Sequence, residues 1–97
     1  MFARVTVIQA QKDKLDEAIS IFREGVIPEA KTQHGFKGCY FLTNQQTGKC
    51  MAITFWNSED DAKVNEQSGY YSEQISRFVG IFTEAPLREG YDASLRA

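Results

Sequence analysis

The chain has 97 residues, of which 25% are charged and 42% hydrophobic, with seven Phe, four Tyr, one Trp and only two Pro. That is one domain, residues 1–97, with too many aromatic residues for a disordered chain. A net charge of −2 offers no basic field to a phosphate backbone, and no apolar run approaches the roughly 20 residues of a membrane span, so neither nucleic acid nor membrane is expected as a partner.

Residues 2–9 alternate, with Val5 and Val7 on one face and Phe2, Arg4, Thr6 and Ile8 on the other, which predicts a first strand. The segment is too short and too interrupted for an export signal. Residues 13–27 carry a stripe of Leu15, Ile19, Phe22 and Val26 at spacings of four, three and four, which predicts a helix with Asp13 as its N-cap. Pro28 is expected to kink or end it, with a further turn over 29–33 and Gly35 in a left-handed conformation. Residues 36–44 and 49–56 read as two strands of a hairpin joined by Gln45-Gln46-Thr47-Gly48.

Ser58 to Asp61 opens the next helix as a variant of the capping box, with Asp61 replacing the usual Glu. Ser68-Gly69 breaks this helix, either as a plain kink or as the hinge of a lid. A second amphipathic stretch follows, carrying Tyr71, Ile75, Phe78 and Phe82. Residues 86–92 make a last short strand, and the proline at its start suits a sheet edge.

The order strand, helix, strand, strand, helix, strand is the α+β, ferredoxin-like βαββαβ arrangement: a four-stranded antiparallel sheet with both helices on one face. The other face should then be polar in a monomer. It is not. Phe36, Tyr40 and Leu42 point one way on the second strand, against Cys39 and Phe41. Met51, Ile53 and Phe55 oppose Cys50, Ala52 and Trp56 on the third. A sheet with large apolar residues on both faces and helices on one predicts a homodimer packed through the sheet.

With the turn centred between Gln46 and Thr47, Cys39 faces Thr54 and Cys50 faces Thr43, several ladder steps apart and too far for a disulfide. They read as free, packed thiols of a reducing compartment, the cytoplasm. Arg4 lies mid-strand among apolar neighbours and needs a carboxylate. The last strand runs beside the first, so Glu89 is the expected partner in a structural ion pair. His34 is the single histidine and has no cysteine or carboxylate cluster around it, so no metal site is expected. Asp60-Asp61 reads as a charged helix turn rather than a catalytic pair.

Residues Ala3-Arg4-Val5-Thr6-Val7, the stretch from Glu29-Ala30 to His34-Gly35-Phe36-Lys37-Gly38, Ile53-Thr54-Phe55-Trp56-Asn57-Ser58-Glu59-Asp60, and the Tyr70-Tyr71 helix before a final short strand carry a resemblance. Over essentially its whole length the chain resembles antibiotic biosynthesis monooxygenase (ABM) domains. The resemblance implies the dimeric α/β barrel, in which two such sheets pack face to face. It also implies one of several activities: cofactor-independent oxygenation of aromatic polyketides, haem degradation, or action on quinol-like or signalling molecules.

The haem-degrading members use an Asn, a Trp and a His at positions that fall here on Ala3, near Val64 and near Gln74. All three are missing, and Trp56 matches instead the Trp that ends the third strand in many members. Members of the family bind aromatic ligands between helices and sheet. That implies a pocket drawn from Phe22, Trp56, Tyr70, Tyr71 and Phe78, with Asn65 near the helix break and His34 in the loop as polar candidates. Tyr70 and Tyr71 are adjacent and cannot both face the core of one helix, which leaves one hydroxyl for a ligand or solvent.

Two functional readings stand. One is a cofactor-independent monooxygenase of a phenolic or quinol-like aromatic molecule, with no cofactor and no assigned catalytic residue. The other is a non-catalytic small-ligand-binding or accessory dimer. An RNA-binding module shares the strand order, and Lys37-Gly38-Cys39-Tyr40-Phe41 faintly echoes its signature. That signature belongs on the third strand, however, and the chain is acidic. An amino-acid-binding regulatory module of the same topology is a further alternative.

Overall fold

The computed structural model describes residues 1–97. Four strands form one antiparallel sheet: β1 (Phe2–Gln9), β2 (Phe36–Thr43), β3 (Lys49–Trp56) and β4 (Leu87–Asp92), in the order β2-β3-β1-β4. This is the ferredoxin-like topology expected from the element order. Helices α1 (Leu15–Ile21), α2 (Ile27–Ala30), α3 (Glu59–Gln67) and α4 (Tyr70–Ser76) cover one face. No helix is long and apolar enough to cross a membrane.

The hairpin register sets Cys39 opposite Thr54 and Cys50 opposite Thr43, as the loop length requires. One expectation fails at its start. The ladder shifts between Phe36 and Gly38, so Phe36 lies opposite Trp56 and packs on it edge to face, with ring centroids 5.7 Å apart. The extra residue, Lys37, resets the alternation, and Phe36 leaves the face it would have shared with Tyr40 and Leu42.

The first helical segment also departs from its prediction. Asp13 makes no capping bond; it lies in a 3-10 turn, Lys12–Lys14, ahead of α1. Of the two outcomes expected at Pro28, a kink or an end, the helix does not end: helical backbone continues through Ala30. A wide π turn, Phe22–Val26, joins α1 to α2, and the Ile27 N–H reaches back to the Phe22 carbonyl. The wider turn sits where the proline ring would otherwise strike the Glu24 carbonyl.

At α3, Ser58 accepts a hydrogen bond from the Asp61 N–H at 3.2 Å. The reciprocal half of the capping box is missing, because the Asp61 carboxylate turns to His34, 3.6 Å away. Gly69 (φ 88°) separates α3 from α4. Helix α4 ends at Ser76, and Phe78 and Phe82 stack on each other from the turns that follow.

Gly35 turns the chain into β2 at φ 81°, and a Cβ there would overlap the Asp61 side chain. Gly35→Ala should therefore destabilise the fold by about 2 kcal/mol, read by urea unfolding, from the left-handed backbone together with the clash.

The core forms two clusters on the helix side. The larger holds Ile8, Leu15, Phe22, Val26, Cys50, Phe78 and Ile81, with Ala10 and Ala18; the smaller holds Phe2, Trp56 and Ala62. On the other face nothing covers Val5, Val7, Met51, Ile53 or Phe55 in the single chain. Tyr40, Leu42, Leu87 and Tyr91 share that face, and between 48% and 63% of each is exposed.

Candidate functional site

The site lies where the two core clusters fail to meet. Along β1 the residues facing the helices are Phe2, Arg4, Thr6 and Ile8; along β3 they are Trp56, Thr54, Ala52 and Cys50. The ends of these rows belong to the two clusters. In the middle, Arg4 lies opposite Thr54 and Thr6 opposite Ala52. Short and polar side chains leave space there. Phe22 and Val26 wall it on one side; Tyr70, Tyr71, Gln74, Ile75 and Phe78 wall it on the other. The cleft holds about 480 Å3 of empty space, counting its open mouth.

Arg4 is the charge in this cleft. It is only 4% exposed, and its Nη1 donates to Asn65 Oδ1 (3.0 Å) and Glu66 Oε2 (3.4 Å). Its guanidinium carbon lies 5.0 Å from the Trp56 ring centroid and 4.8 Å from that of Tyr71. Burial lowers its pKa, and the Glu66 carboxylate opposes that shift. Arginine nevertheless remains a cation throughout the ordinary pH range.

Glu66 also faces Arg88, whose guanidinium lies over the Tyr71 ring. One carboxylate thus stands between two guanidinium groups, and the cluster keeps a net positive charge in an acidic protein.

Glu89, the partner expected for Arg4, does not pair with it. The register places Gly90 opposite Arg4 and Glu89 opposite Val5. Because side chains alternate along a strand, Glu89 points to the uncovered face, where its carboxylate accepts from the Tyr91 hydroxyl. The carboxylate that reaches Arg4 comes from α3 instead.

Of the other predicted site residues, Phe22, Tyr70, Tyr71 and Phe78 line the cleft. Trp56, fully buried, lies under the guanidinium and donates through Nε1 to Thr54 Oγ1 at 2.9 Å. Asn65 is buried behind Arg4, its Nδ2 donating to Gln33 Oε1 at 2.9 Å. His34 does not line the cleft; its side chain is 92% exposed.

Tyr70 and Tyr71, both named as pocket candidates, both line the cleft. They occupy the first turn of α4, just after the Gly69 break, and the cleft wraps around that end of the helix. Their hydroxyls differ. The Tyr71 hydroxyl is bonded to Thr6 Oγ1 at 2.9 Å. Burial pushes the Tyr70 hydroxyl up to about 12, with nearby Arg4 opposing the shift. Tyr70 is therefore a neutral donor, not a base, at any physiological pH.

The sign of that shift gives a prediction. A phenol whose folded pKa lies above its unfolded value stabilises the fold fully below the unfolded pKa, and this contribution is lost as pH rises through the folded one. Stability should fall between about pH 10 and about pH 12, and Tyr70→Phe should shallow that fall. Thermal unfolding of both proteins across that window reads it.

The sequence reading missed Thr6, Thr54 and Gln74. Gln74 is 5% exposed and fixed at both ends: Nε2 donates to Glu29 Oε2 (2.7 Å), and Oε1 accepts from Arg77 Nε (2.9 Å). Arg77 closes the ring with its own ion pair to Glu29. Gln74 stands four residues after Tyr70, so its place on a core-facing stripe was the available signal. No three His, Cys, Asp or Glu side chains converge to hold a metal ion.

Comparisons with known proteins agree with this architecture. Structures of similar fold include Rv0793 from Mycobacterium tuberculosis (TM-score 0.76, 10% identity, covering 99% of this chain and 97% of that one). A monooxygenase from the gene ActVA-Orf6 of Streptomyces coelicolor, in complex with nanaomycin D, is similar as well (TM-score 0.76, 14% identity, 99% and 92%). So is a mutant of SnoaB, a cofactor-independent oxygenase from Streptomyces nogalater (TM-score 0.77, 13% identity, 98% and 94%).

In sequence, the chain is 33% identical over 60 residues to Rv2557 of Mycobacterium tuberculosis, an uncharacterized protein; the match spans 62% of this chain but only 27% of that protein's length. Residues 1–76 match the family described as antibiotic biosynthesis monooxygenase. With most of its length inside that match, the chain belongs to the antibiotic biosynthesis monooxygenase family.

Proposed function

We propose that this protein is a cofactor-independent monooxygenase that oxidises a phenolic or quinol-like aromatic molecule in the cleft above Arg4. The observation that carries this reading is a buried guanidinium in the wall of a mostly apolar cleft, with only Nη1 taken by protein partners. Aromatic and aliphatic walls suit a flat ring system. A cation and a neutral Tyr70 hydroxyl suit the oxygen of a phenolate or enolate, which a dry site stabilises more than water does.

Such an anion is electron-rich enough to react with oxygen unaided. For an anthrone-type substrate, one ring methylene and one molecule of dioxygen give one ring carbonyl and one molecule of water. The substrate anion passes an electron to oxygen, and the pair combines to a carbon-bound peroxide. The O–O bond then breaks with loss of water to leave the carbonyl. Oxygen is the only oxidant required. The Thr6–Tyr71 hydroxyl pair offers the substrate's proton a path outward, since Tyr71 also lines the solvent-open hollow beside Pro86 and Arg88.

The protein acts as a homodimer in this reading, packed through the uncovered sheet face, and its free Cys39 and Cys50 suit a reducing cytoplasm. The SnoaB and ActVA-Orf6 proteins, described as oxygenases, share the fold and lend the proposal support.

One observation favours a non-catalytic, ligand-binding dimer instead. No His, Asp, Glu or Lys side chain, the usual general bases, lines the cleft. An oxygen electrode separates the two readings. Supplied with hydroxylated anthrones, flavonols and quinols, the protein should consume oxygen well above the buffer rate for at least one class, and Tyr70→Phe should slow it. Tight binding with oxygen uptake no faster than in buffer would leave the binding dimer.

A further inference from the structure

A chain of hydrogen bonds runs from the cleft to the loop before β2, and all its links point one way. Arg4 Nη1 donates to Asn65 Oδ1 (3.0 Å), and Asn65 Nδ2 donates to Gln33 Oε1 (2.9 Å). Gln33 Nε2 donates to Thr32 Oγ1 (3.2 Å), whose hydroxyl donates to the Glu29 carbonyl (2.6 Å). The two ends set the direction. A guanidinium can only donate, and a backbone carbonyl can only accept.

We infer that Gln33, outside the cleft, is a positioning residue that locks the Asn65 carboxamide with its oxygen toward Arg4, and so aims the guanidinium at the ligand. A carboxamide turned by half a rotation presents nitrogen where oxygen was. Asn65 flipped in that way would set N–H groups against the guanidinium, donor against donor. The Gln33 oxygen removes that alternative, because it can only accept and therefore selects the Asn65 nitrogen.

Arg4 then keeps Nη1 on Asn65 and Glu66, with the rings of Trp56 and Tyr71 beside its plane. Its other nitrogens are left for the cleft. Gln33 is not among the cleft-lining residues, so its effect on a ligand would pass through Asn65 and Arg4. The consequence for a ligand rests on the phenol-binding reading above; the locking of Asn65 does not.

The experiment is heteronuclear NMR of the Asn65 side-chain amide and the Arg4 Nε–H in the ligand-free protein, together with titration by p-nitrophenol. The proteins compared are wild type, Gln33→Met, Gln33→Lys and Gln33→Glu. Methionine offers no comparable acceptor, and lysine replaces it with a donor. Glutamate keeps the acceptor while losing the donor to Thr32.

The expected result is that Met and Lys shift both sets of resonances and weaken p-nitrophenolate binding about tenfold, the cost of misdirecting one charge-assisted hydrogen bond. Glu should restore the wild-type signals and affinity. A role confined to holding the loop would instead be served no better by Glu than by Met.

Unchanged Asn65 and Arg4 signals in both Met and Lys would overturn the inference, as would changed signals with unchanged affinity. Absence of p-nitrophenol binding to the wild type would count against the phenol reading alone, and the NMR comparison would still decide the locking of Asn65.

Discussion

Replacing Arg4 with methionine should leave a folded protein that has lost its function. The substitution removes the bonds to Asn65 and Glu66 but fills a similar volume between the Trp56 and Tyr71 rings. Glu66 keeps Arg88 as a partner, so no buried carboxylate is stranded. The native guanidinium is itself penalised by burial, which lowers its pKa, and methionine relieves that cost. The fold should lose about 1–3 kcal/mol, because the buried Asn65 Oδ1 is left without its donor while the desolvation of the guanidinium is relieved.

Function should respond differently. If the guanidinium stabilises the anion along the reaction path, its loss should slow oxygen uptake by about 100- to 1000-fold, the usual effect of removing one preorganised donor from a charge-stabilising site. Arg4→Lys should recover only part of it, because an ammonium lacks the planar fork that lies against two rings and donates in several directions. Thermal unfolding and oxygen uptake on the same preparations separate the two effects.

The second large effect concerns assembly. Ile53 lies on the uncovered sheet face, opposite Val5 on β1 and Tyr40 on β2. In a two-fold dimer packed through this face, Ile53→Asp introduces two carboxylates into one apolar interface, since symmetry repeats every change. Each buried, unpaired charge costs several kcal/mol, so the dissociation constant should rise by a factor of about 1000 or more. Sedimentation at micromolar concentration should show the wild type at twice its 11.0 kDa chain mass and the variant at one. A wild type that sediments as a single chain would refute the dimer and leave this face unexplained.

The sequence was most legible where a periodic pattern met a strong local signal. Alternation in residues 36–44 and 49–56, joined by a short glycine-bearing loop, matched the hairpin register from Gly38 onward. The element order led directly to the sheet order, because few arrangements of two such units are compatible with short connections. Boundaries were harder. The bulge at Lys37 reversed the face of Phe36, and the π turn let Pro28 stay inside a helix; both are adjustments made when helices and sheet pack.

The site was half visible for a related reason. Aromatic residues at helical spacing marked its walls, so Phe22, Tyr70, Tyr71 and Phe78 could be named from the sequence. The polar network could not. Arg4 takes its carboxylate from α3, 62 residues away in sequence, and Asn65 takes its acceptor from Gln33, 32 residues away. No periodicity within an element encodes such pairs. Glu89 lies on the neighbouring strand, one residue from the position opposite Arg4, and a shift of one residue along a strand turns a side chain to the opposite face.

The most direct test of the site is the ionisation of a phenol held in the cleft. An absorbance titration of p-nitrophenol bound to the wild type, compared with the free compound, follows the phenolate itself. A cation close to that oxygen should lower the bound phenol's pKa by about 1 unit or more, and Arg4→Met should reverse the shift, because an apolar cleft without the charge favours the neutral form. A bound phenol whose pKa in the wild type equals or exceeds that of the free compound would contradict the account.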